Sequence, residues 1–496
     1  MVQNYSKENF LVVSDMKNRK EHKSIICFLI FIIMISSMGL SAQVQNKNIF
    51  KERRETLLSK MEGGIAIIKG ADPANRNGDV DFLFRQNSNF YYLTGFEEPF
   101  AALILIPDEN KKFIMFVRNR NLVMENWTGK RAGIEGAMND FGADTAFANG
   151  LFEKLLTSYL KGKTKIYLNT SDKELVTLVD SLYVKANGNA DKKNINVNKI
   201  IAEMRVIKSQ DEIERIKKAC YITSDAHIEA MKAAKPGMKE YELAAIIEYI
   251  FKKEGADYTA FPSIVGSRIN STILHYEAGS REFKKNDMIV MDIGSEYNNY
   301  ASDITRSIPA NGKFTAEQKE IYAIVLKANE KAIENAKPGI GLNEIQNYAK
   351  DIVTDGLLNL GLITSKEKSW QTDVWLPHGI SHFVGLDVHD VGDAGYFTKQ
   401  GRIVEEGMVF TIEPGIYINR NTLDYLEDLY GYMVDKKELK EFVQKVKSAV
   451  EKYNNIGIRI EDTILITKEG CEVLSSNSPK EIEEIESILK KKSKFN

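Results

Sequence analysis

The tetrapeptide AKPG occurs twice, at 234–237 and 336–339, and each copy stands between two amphipathic helical patterns. A repeat at a spacing of about a hundred residues predicts a duplicated half-domain. The copies stay in step downstream: ILHY (273–276) is roughly matched by WLPHG (375–379), and MIVMDIG (288–294) by MVFTIEPG (408–415). A KPG turn between helices is cheap, but four matched features in the same order outweigh coincidence. The chain is therefore expected to hold a domain with internal pseudo-two-fold symmetry, in which His275 and His378 occupy related places and Asp292 answers Glu413.

The 496 residues are enough for more than one core. Upstream of the duplication, an opening helix (NIFKERRETLLSKM) precedes the apolar runs GIAIIKG, AALILIP, KKFIMFV and TKIYLN, which suit strands, with helical segments such as 151–161 between them. That alternation predicts an α/β layer over 43–196. The polar stretch KANGNADKKNIN (185–196) reads as a linker. After it, Ser209 and Glu212 form a capping-box pattern, and the second domain is expected to run over 197–496.

Residues 1–42 read as an export signal. Lys17, Arg19, Lys20 and Lys23 precede the apolar run from Ile25 to Leu40, and small residues follow at Ser41 and Ala42. Because the basic stretch begins just after Met16, and export signals usually begin close to their charged residues, residues 1–15 read as an over-annotated start. Cleavage after Ala42 would leave an extracytoplasmic protein, periplasmic or secreted; the alternative is an uncleaved N-terminal anchor, the only membrane association expected. Cys27, Cys220 and Cys471 are too few for a disulfide framework and form no metal-binding cluster. Lys plus Arg number 67 against 69 Asp plus Glu, a net charge of −2, so no uniform basic surface argues for nucleic acid.

The chemistry concentrates in the duplicated part. The strand pattern MIVMDI places Asp292 on an otherwise apolar face, and a second strand pattern, ASDITRSI, follows the polar tip SEYNNY. A hairpin turning at Tyr297 and Asn298 would make Asp292 and Asp303 direct cross-strand partners. Facing carboxylates repel, and a divalent cation removes the penalty. The segment PHGISHFVGLDVHDVGD carries His378, His382 and His389, three of six histidines, with Gly379 where a zinc-protease HExxH motif needs Glu. Its glycines and β-branched residues favour strand and loop over helix. Glu413 ends the run MVFTI, and Glu461 lies in GIRIEDTILIT, sharing a strand face with Arg459, which is placed to temper carboxylate repulsion; Asp462 falls on the opposite face. Two Asp, two Glu and one His suit two divalent cations, and donor chemistry alone leaves manganese, cobalt, zinc and iron open.

These residues resemble the prolidase and aminopeptidase P branch of the dinuclear-metal peptidases with the pita-bread fold. HGISHFVGLDVHD, the Asp292 to Asp303 spacing, TIEPGIY and RIEDT carry the resemblance, and FLFRQNSNFYYLTGFEEPFAALILIP (82–107) is similar to the aminopeptidase P version of the N-terminal domain. The resemblance implies an α/β (α+β) fold, an N-terminal α/β domain followed by a pita-bread metallopeptidase domain. It implies two divalent metal ions, manganese foremost with cobalt or zinc as alternatives: Asp292 on one, Asp303 and Glu461 bridging, His382 and Glu413 on the other. Glu413 would also take a proton from a metal-bridging water as it attacks the scissile carbonyl. His275 and His389 would bind the substrate carbonyl and stabilise the tetrahedral intermediate, His378 would line the proline side, and Arg459 would support the site. His22 and His227 are given no role.

The implied activity is release of an N-terminal residue preceding proline from peptides. The alternatives are a prolidase acting on Xaa-Pro dipeptides and an inactive peptide-binding module on the same fold. A homo-oligomer, dimer or tetramer, is implied as well. Between Glu413 and Glu461 the chain is longer than in compact members, over about 420–455, where Leu439, Phe442, Val443, Val446 and Val450 recur at helical spacing. This insertion is expected at the tip of the second hairpin, next to the active-site mouth, either screening substrates, covering a subunit contact, or lying solvated.

Overall fold

The computed structural model describes residues 48–495, so the expected export signal lies outside the described residues. The chain divides into two compact units, 1–201 and 202–496. No helix among the described residues is long and apolar enough to cross a membrane.

In the first unit the opening helix covers 48–60. A six-stranded sheet follows, in the order Thr145–Ala148, Phe113–Val117, Ala102–Leu105, Ile65–Lys69, Lys165–Leu168, Lys193–Asn196. The four apolar runs form its four inner strands. Three of these, Ala102–Leu105, Phe113–Val117 and Ile65–Lys69 up to its last residue, are buried throughout, as unbroken apolar runs covered on both faces should be. Ile67, Ile104, Phe116 and Leu168 pack with Leu156, Leu175 and Val179 from the helices Phe152–Tyr159 and Lys173–Asn187. Both outermost strands escape a hydrophobicity reading: each is only four residues long, and Lys193–Asn196 is also polar. One of them corrects the expected linker: 185–187 finish a helix, and Lys193–Asn196 pairs in parallel with Lys165–Leu168. The division falls at 201/202, inside the helix Val197–Val206, rather than at 196/197.

The second unit repeats one plan. Helices Gln210–Ala233 and Glu240–Lys253 lead to the antiparallel sheet Ile264–Ser267, Met288–Ile293, Ile304–Pro309. Helices Ala316–Asn335 and Leu342–Asn359 lead to the sheet Val409–Ile412, Asp462–Ile466, Cys471–Val473. Both AKPG turns have the same shape: Gly237 (φ 92°) and Gly339 (φ 89°) occupy the left-handed region that glycine enters freely. Their amides donate to Phe283 and Val404 carbonyls, each at 2.9 Å. Ser209 and Glu212 close the first long helix as expected, the Ser209 amide donating to the Glu212 carboxylate at 3.0 Å.

The insertion does interrupt the second hairpin, between the paired strands Gly415–Ile418 and Ile456–Arg459. Its helix Lys436–Tyr453 buries Leu439, Phe442, Val446 and Val450, and the Phe442 ring meets Trp370 edge-on at 4.9 Å. An apolar stripe of that width on a helix demands a partner, and the core of the second unit supplies it. None of residues 420–455 lines the cavity described below, and the helix is packed along its apolar stripe rather than fully solvated.

Candidate metal centre

Asp292 sits near the end of Met288–Ile293, and the hairpin register differs from the expected one. Asn298 (φ 48°) and Asn299 (φ 68°) make the turn, both in the left-handed conformation that a tight two-residue hairpin requires and asparagine tolerates. Glu296 therefore pairs with Ala301, and Asp292 with Thr305. Asp303 lies just before Ile304–Pro309, two residues from Thr305, so it is a diagonal neighbour of Asp292 rather than its direct partner. Both carboxylates still face the same space, because a two-residue offset preserves the strand face.

The second half delivers its carboxylates in the same way. Glu413 follows Val409–Ile412, and Glu461 immediately precedes Asp462–Ile466 as Asp303 precedes its strand. The loop carrying His382 lies along the first of these strands: the Thr411 amide donates to the His382 carbonyl and the Glu413 amide to the Ile380 carbonyl, each at 2.9 Å. His382 Nδ1 is 3.2 Å from the Phe383 carbonyl, which can only accept, so Nδ1 carries the proton. The Nε2 lone pair is then left to face Asp303 and Glu413, each at 3.4 Å, and Glu461 at 3.9 Å.

Potential ligand atoms gather in overlapping groups within 4.8 Å, among them Asp292, Asp303 and Glu461, and His382, Glu413 and Glu461. The five residues expected from the sequence all fall in these groups, and His389 joins Asp303 and His382 in a third. Burial first, then the neighbouring carboxylates, push the Asp303 and Glu461 carboxyls well above the ordinary range. Asp292 Oδ1 and Asp303 Oδ1 are buried without a hydrogen-bond partner. Such orphaned oxygens, clustered acids and an imidazole presenting its lone pair fit divalent cations and fit little else.

Arg459 is the counter-charge. Its guanidinium pairs with Asp292 and donates to Thr305 Oγ1 at 3.1 Å and to the Tyr417 hydroxyl at 2.7 Å. Thr305 Oγ1 in turn donates to Glu461 at 2.7 Å. Arg459 is buried, so the ordinary surface ion pair is excluded. Asp462 turns away into a buried pair with Arg306 (2.7 Å) and Lys480 (2.8 Å), which hold its carboxyl below the ordinary range against the opposing effect of burial.

The ligand set opens on a cavity of about 740 Å³ that His275, His378 and His389 also line. The His389 ring lies 4.1 Å from His382, centroid to centroid. His275 and His389 also border a second, more apolar cavity of about 240 Å³, with Phe261, Pro262, Ile264 and Val388. His378 is tied down at both ring nitrogens: Nδ1 is 2.7 Å from the Gly379 carbonyl, and Nε2 is 2.8 Å from the Tyr417 hydroxyl. Because the carbonyl only accepts, Nδ1 donates and Tyr417 donates to Nε2. Burial holds the His378 imidazole below its ordinary pKa, which keeps it neutral.

Sequence reasoning missed Tyr417, Thr305 and Thr411, whose hydroxyl contacts Glu413 at 3.3 Å and takes the His382 amide at 3.1 Å. The observed strand pairing sets Gly415 opposite Arg459, which makes Tyr417 and Arg459 diagonal neighbours. His227, given no role, is fully buried, with Nε2 2.9 Å from the Ile304 carbonyl beside Asp303.

Comparison with known proteins agrees with this geometry. The family model for metallopeptidase family M24 matches residues 214–468, and that for the aminopeptidase P N-terminal domain matches 50–167. The chain is 36% identical over 450 residues to the Xaa-Pro aminopeptidase of Haemophilus influenzae, covering 89% of this chain and 97% of that one. It is 35% identical over 454 residues to the Escherichia coli Xaa-Pro aminopeptidase, with the same coverage. Among solved structures, Escherichia coli aminopeptidase P with the inhibitor Pro-Leu superposes with a TM-score of 0.80 at 36% identity, over 89% of this chain and 98% of that one.

Proposed function

The chain belongs to metallopeptidase family M24, and from that premise we propose that it is an Xaa-Pro aminopeptidase, hydrolysing the bond between an N-terminal residue and a following proline. The observation that carries this reading is the convergence of Asp292, Asp303, His382, Glu413 and Glu461 on one cavity, in a chain that also has the aminopeptidase P N-terminal domain. A volume of about 740 Å³ supports a peptide that continues beyond proline over a dipeptide alone.

Asp292, Asp303 and Glu461 would hold one divalent cation, and Glu461, Asp303, His382 and Glu413 a second. Such ions make water acidic enough to attack near neutral pH and polarise a carbonyl. Manganese is the proposed metal, supported by the oxygen-rich donor set, with cobalt and zinc as competitors. Glu413 accepts the proton of the attacking water and passes it to the leaving proline nitrogen. His275 and His389, which line the same cavity, would donate to the oxygen on which charge develops. His378, neutral and fixed at both nitrogens, lines the cavity beside Leu376 as an uncharged wall for the proline ring. Arg459 keeps Asp292 oriented through their ion pair.

The apolar run ending at Leu40 supports export, which predicts a mature chain beginning near Gln43 in an extracytoplasmic fraction; an intact chain in the cytosol would refute it. The family resemblance supports a dimer or tetramer, to be read by sedimentation.

The activity is tested by hydrolysis of an Xaa-Pro-Xaa tripeptide and an Xaa-Pro dipeptide, after chelation and again after adding manganese. Metal-restored cleavage before proline in the tripeptide, with the dipeptide slower, is the expected result. Preference for the dipeptide would make the chain a prolidase. No cleavage with any divalent metal would leave a peptide-binding module.

A further inference from the structure

We propose that Arg205 and Lys208, together with the more exposed Glu203, are positioning residues for His389, acting as a clamp on the segment that carries it. The inference rests on the role given above to His389. Arg205, at the end of the helix Val197–Val206, reaches Asp387 at 2.7 Å and also pairs with Asp390. Lys208 reaches the other oxygen of Asp390 at 2.8 Å and the Arg205 carbonyl at 2.8 Å. Asp387 and Asp390 flank His389 in the chain. Further along, Glu203 takes two hydrogen bonds from Arg402, at 3.0 and 2.9 Å. Three charged side chains, within five residues of one another, thus grip both ends of 387–402.

Their burial argues for placement over stability. The side chains of Arg205, Lys208 and Asp390 are only 1–2% exposed. Withdrawing such charges from water costs several kcal/mol per ion, and a buried ion pair is often no more stabilising than apolar residues of the same volume. What a guanidinium shared between two carboxylates supplies is fixed geometry. His389 needs it, because its side chain is exposed to the cavity and its position depends on the backbone that bears it. That backbone is a tight loop: the Asp390 amide donates to the Phe383 carbonyl at 2.8 Å and the Gly385 amide to the Asp387 carbonyl at 3.1 Å. Gly385 leaves the space the clamp uses, since a Cβ there would stand 2.1 Å from Asp390 Oδ2 and 3.1 Å from Lys208 Cε. With the loop so held, the His389 ring is kept against His382 and toward the substrate.

Two variants test the clamp. Arg205→Lys keeps the charge but loses the fork, and Gly385→Ala keeps every charge but displaces the Asp390 carboxylate. Each is combined with His389→Ala in a double-mutant cycle on kcat and KM, and hydrogen exchange of 383–391 is followed on the full chain. We expect exchange in that segment to rise at least tenfold while the remaining strands stay protected. kcat/KM should fall at least tenfold, mostly in kcat, and the loss should disappear when His389 is already alanine. Unchanged exchange in both variants would overturn the clamp, and so would losses fully additive with His389→Ala. Should the wild-type chain cleave no Xaa-Pro peptide, the proposed function would fail, while exchange would still decide whether Arg205 holds the loop.

Discussion

Replacing Tyr417 by phenylalanine isolates one hydroxyl in the centre of the site. The ring is buried, and phenylalanine fills the same space, so the perturbation is the loss of two hydrogen bonds. Arg459 Nη1 donates to this hydroxyl at 2.7 Å, and the hydroxyl donates to His378 Nε2 at 2.8 Å. A hydrogen bond from a charged donor contributes about 1.5–3 kcal/mol, and a neutral one about 1 kcal/mol. Arg459 keeps Asp292 and Thr305, and His378 keeps the Gly379 carbonyl, so neither group is stranded. The charged bond therefore dominates, and its loss frees His378 to rotate away from the position proposed for the proline ring. If that cost falls on the transition state, kcat/KM for an Xaa-Pro-Xaa peptide drops by roughly 10- to 150-fold. The assay is steady-state hydrolysis with manganese, with thermal unfolding of the same preparations alongside. A variant within twofold of wild type in kcat/KM and unchanged in Tm would refute the reasoning, because the hydroxyl would then carry nothing.

Glu413→Gln should retain the fold and lose on the order of 10²- to 10⁴-fold in kcat, as removal of a proton acceptor does; near-normal turnover would remove Glu413 from the chemistry. Asp303 and Glu461 have carboxyls raised by burial and by one another's neighbours, so without metal the folded protein holds protons that the unfolded chain releases at ordinary carboxyl pKa values. Stability of the chelated protein from these two groups is fully present at low pH and declines as pH climbs from about 4 through their raised pKa values, whereas cations displace those protons. The Tm difference between metal-loaded and chelated protein should thus widen from about pH 5 to about pH 8, and a constant or narrowing gap would contradict it. His227→Ala removes a fully buried ring and its bond to the Ile304 carbonyl, for an expected loss of about 2–3 kcal/mol in denaturant unfolding. Burial drives the His227 imidazole down to about 3, so it enters the fold uncharged. An unchanged midpoint would show that the pocket collapses without cost.

The ligands were legible because each is a chemically marked residue inside a short, ordered motif: an aspartate amid Met, Val and Ile, three histidines in one loop, a glutamate before Pro414. The groups that orient them were not. Tyr417, Thr305 and Thr411 are ordinary strand residues by composition; only the pairing of strands far apart in sequence brings the first two hydroxyls to Arg459 and Glu461, while Thr411 meets Glu413 two residues along its own chain segment. The turn falls one residue later than expected, which shifts the register by two, because both Tyr297–Asn298 and Asn298–Asn299 suit a turn, and the choice rests on which pair sustains two positive φ angles. The edge strand Lys193–Asn196 was hidden by its polarity: a strand on the rim of a sheet need bury little, so its sequence resembles a linker. The insertion helix was visible, but an apolar stripe shows only that something covers it.

The two halves deliver four carboxylates by one plan, yet they differ in counter-charge, and that difference separates the proposed roles. Asp292 of the first half is paired with Arg459, which comes from the second half. The place in the first half that corresponds to Arg459, two residues before Asp303 as Arg459 is two before Glu461, holds Ala301. Glu413 consequently has no guanidinium partner reaching across from the other half. Its near polar neighbours are the Thr411 hydroxyl at 3.3 Å, His382 at 3.4 Å and His378 at 3.6 Å. A carboxylate locked to a guanidinium is a poor proton acceptor, because protonation would forfeit the ion pair. Glu413 loses no such pair when it gains a proton, so the asymmetry favours it over Asp292 as the base. Transplanting the counter-charge would test this: Ala301→Arg, if the guanidinium reaches Glu413, should depress kcat while the metal content measured by elemental analysis stays near wild type. Full turnover, with the new ion pair seen in a crystal structure, would break the link between counter-charge and role.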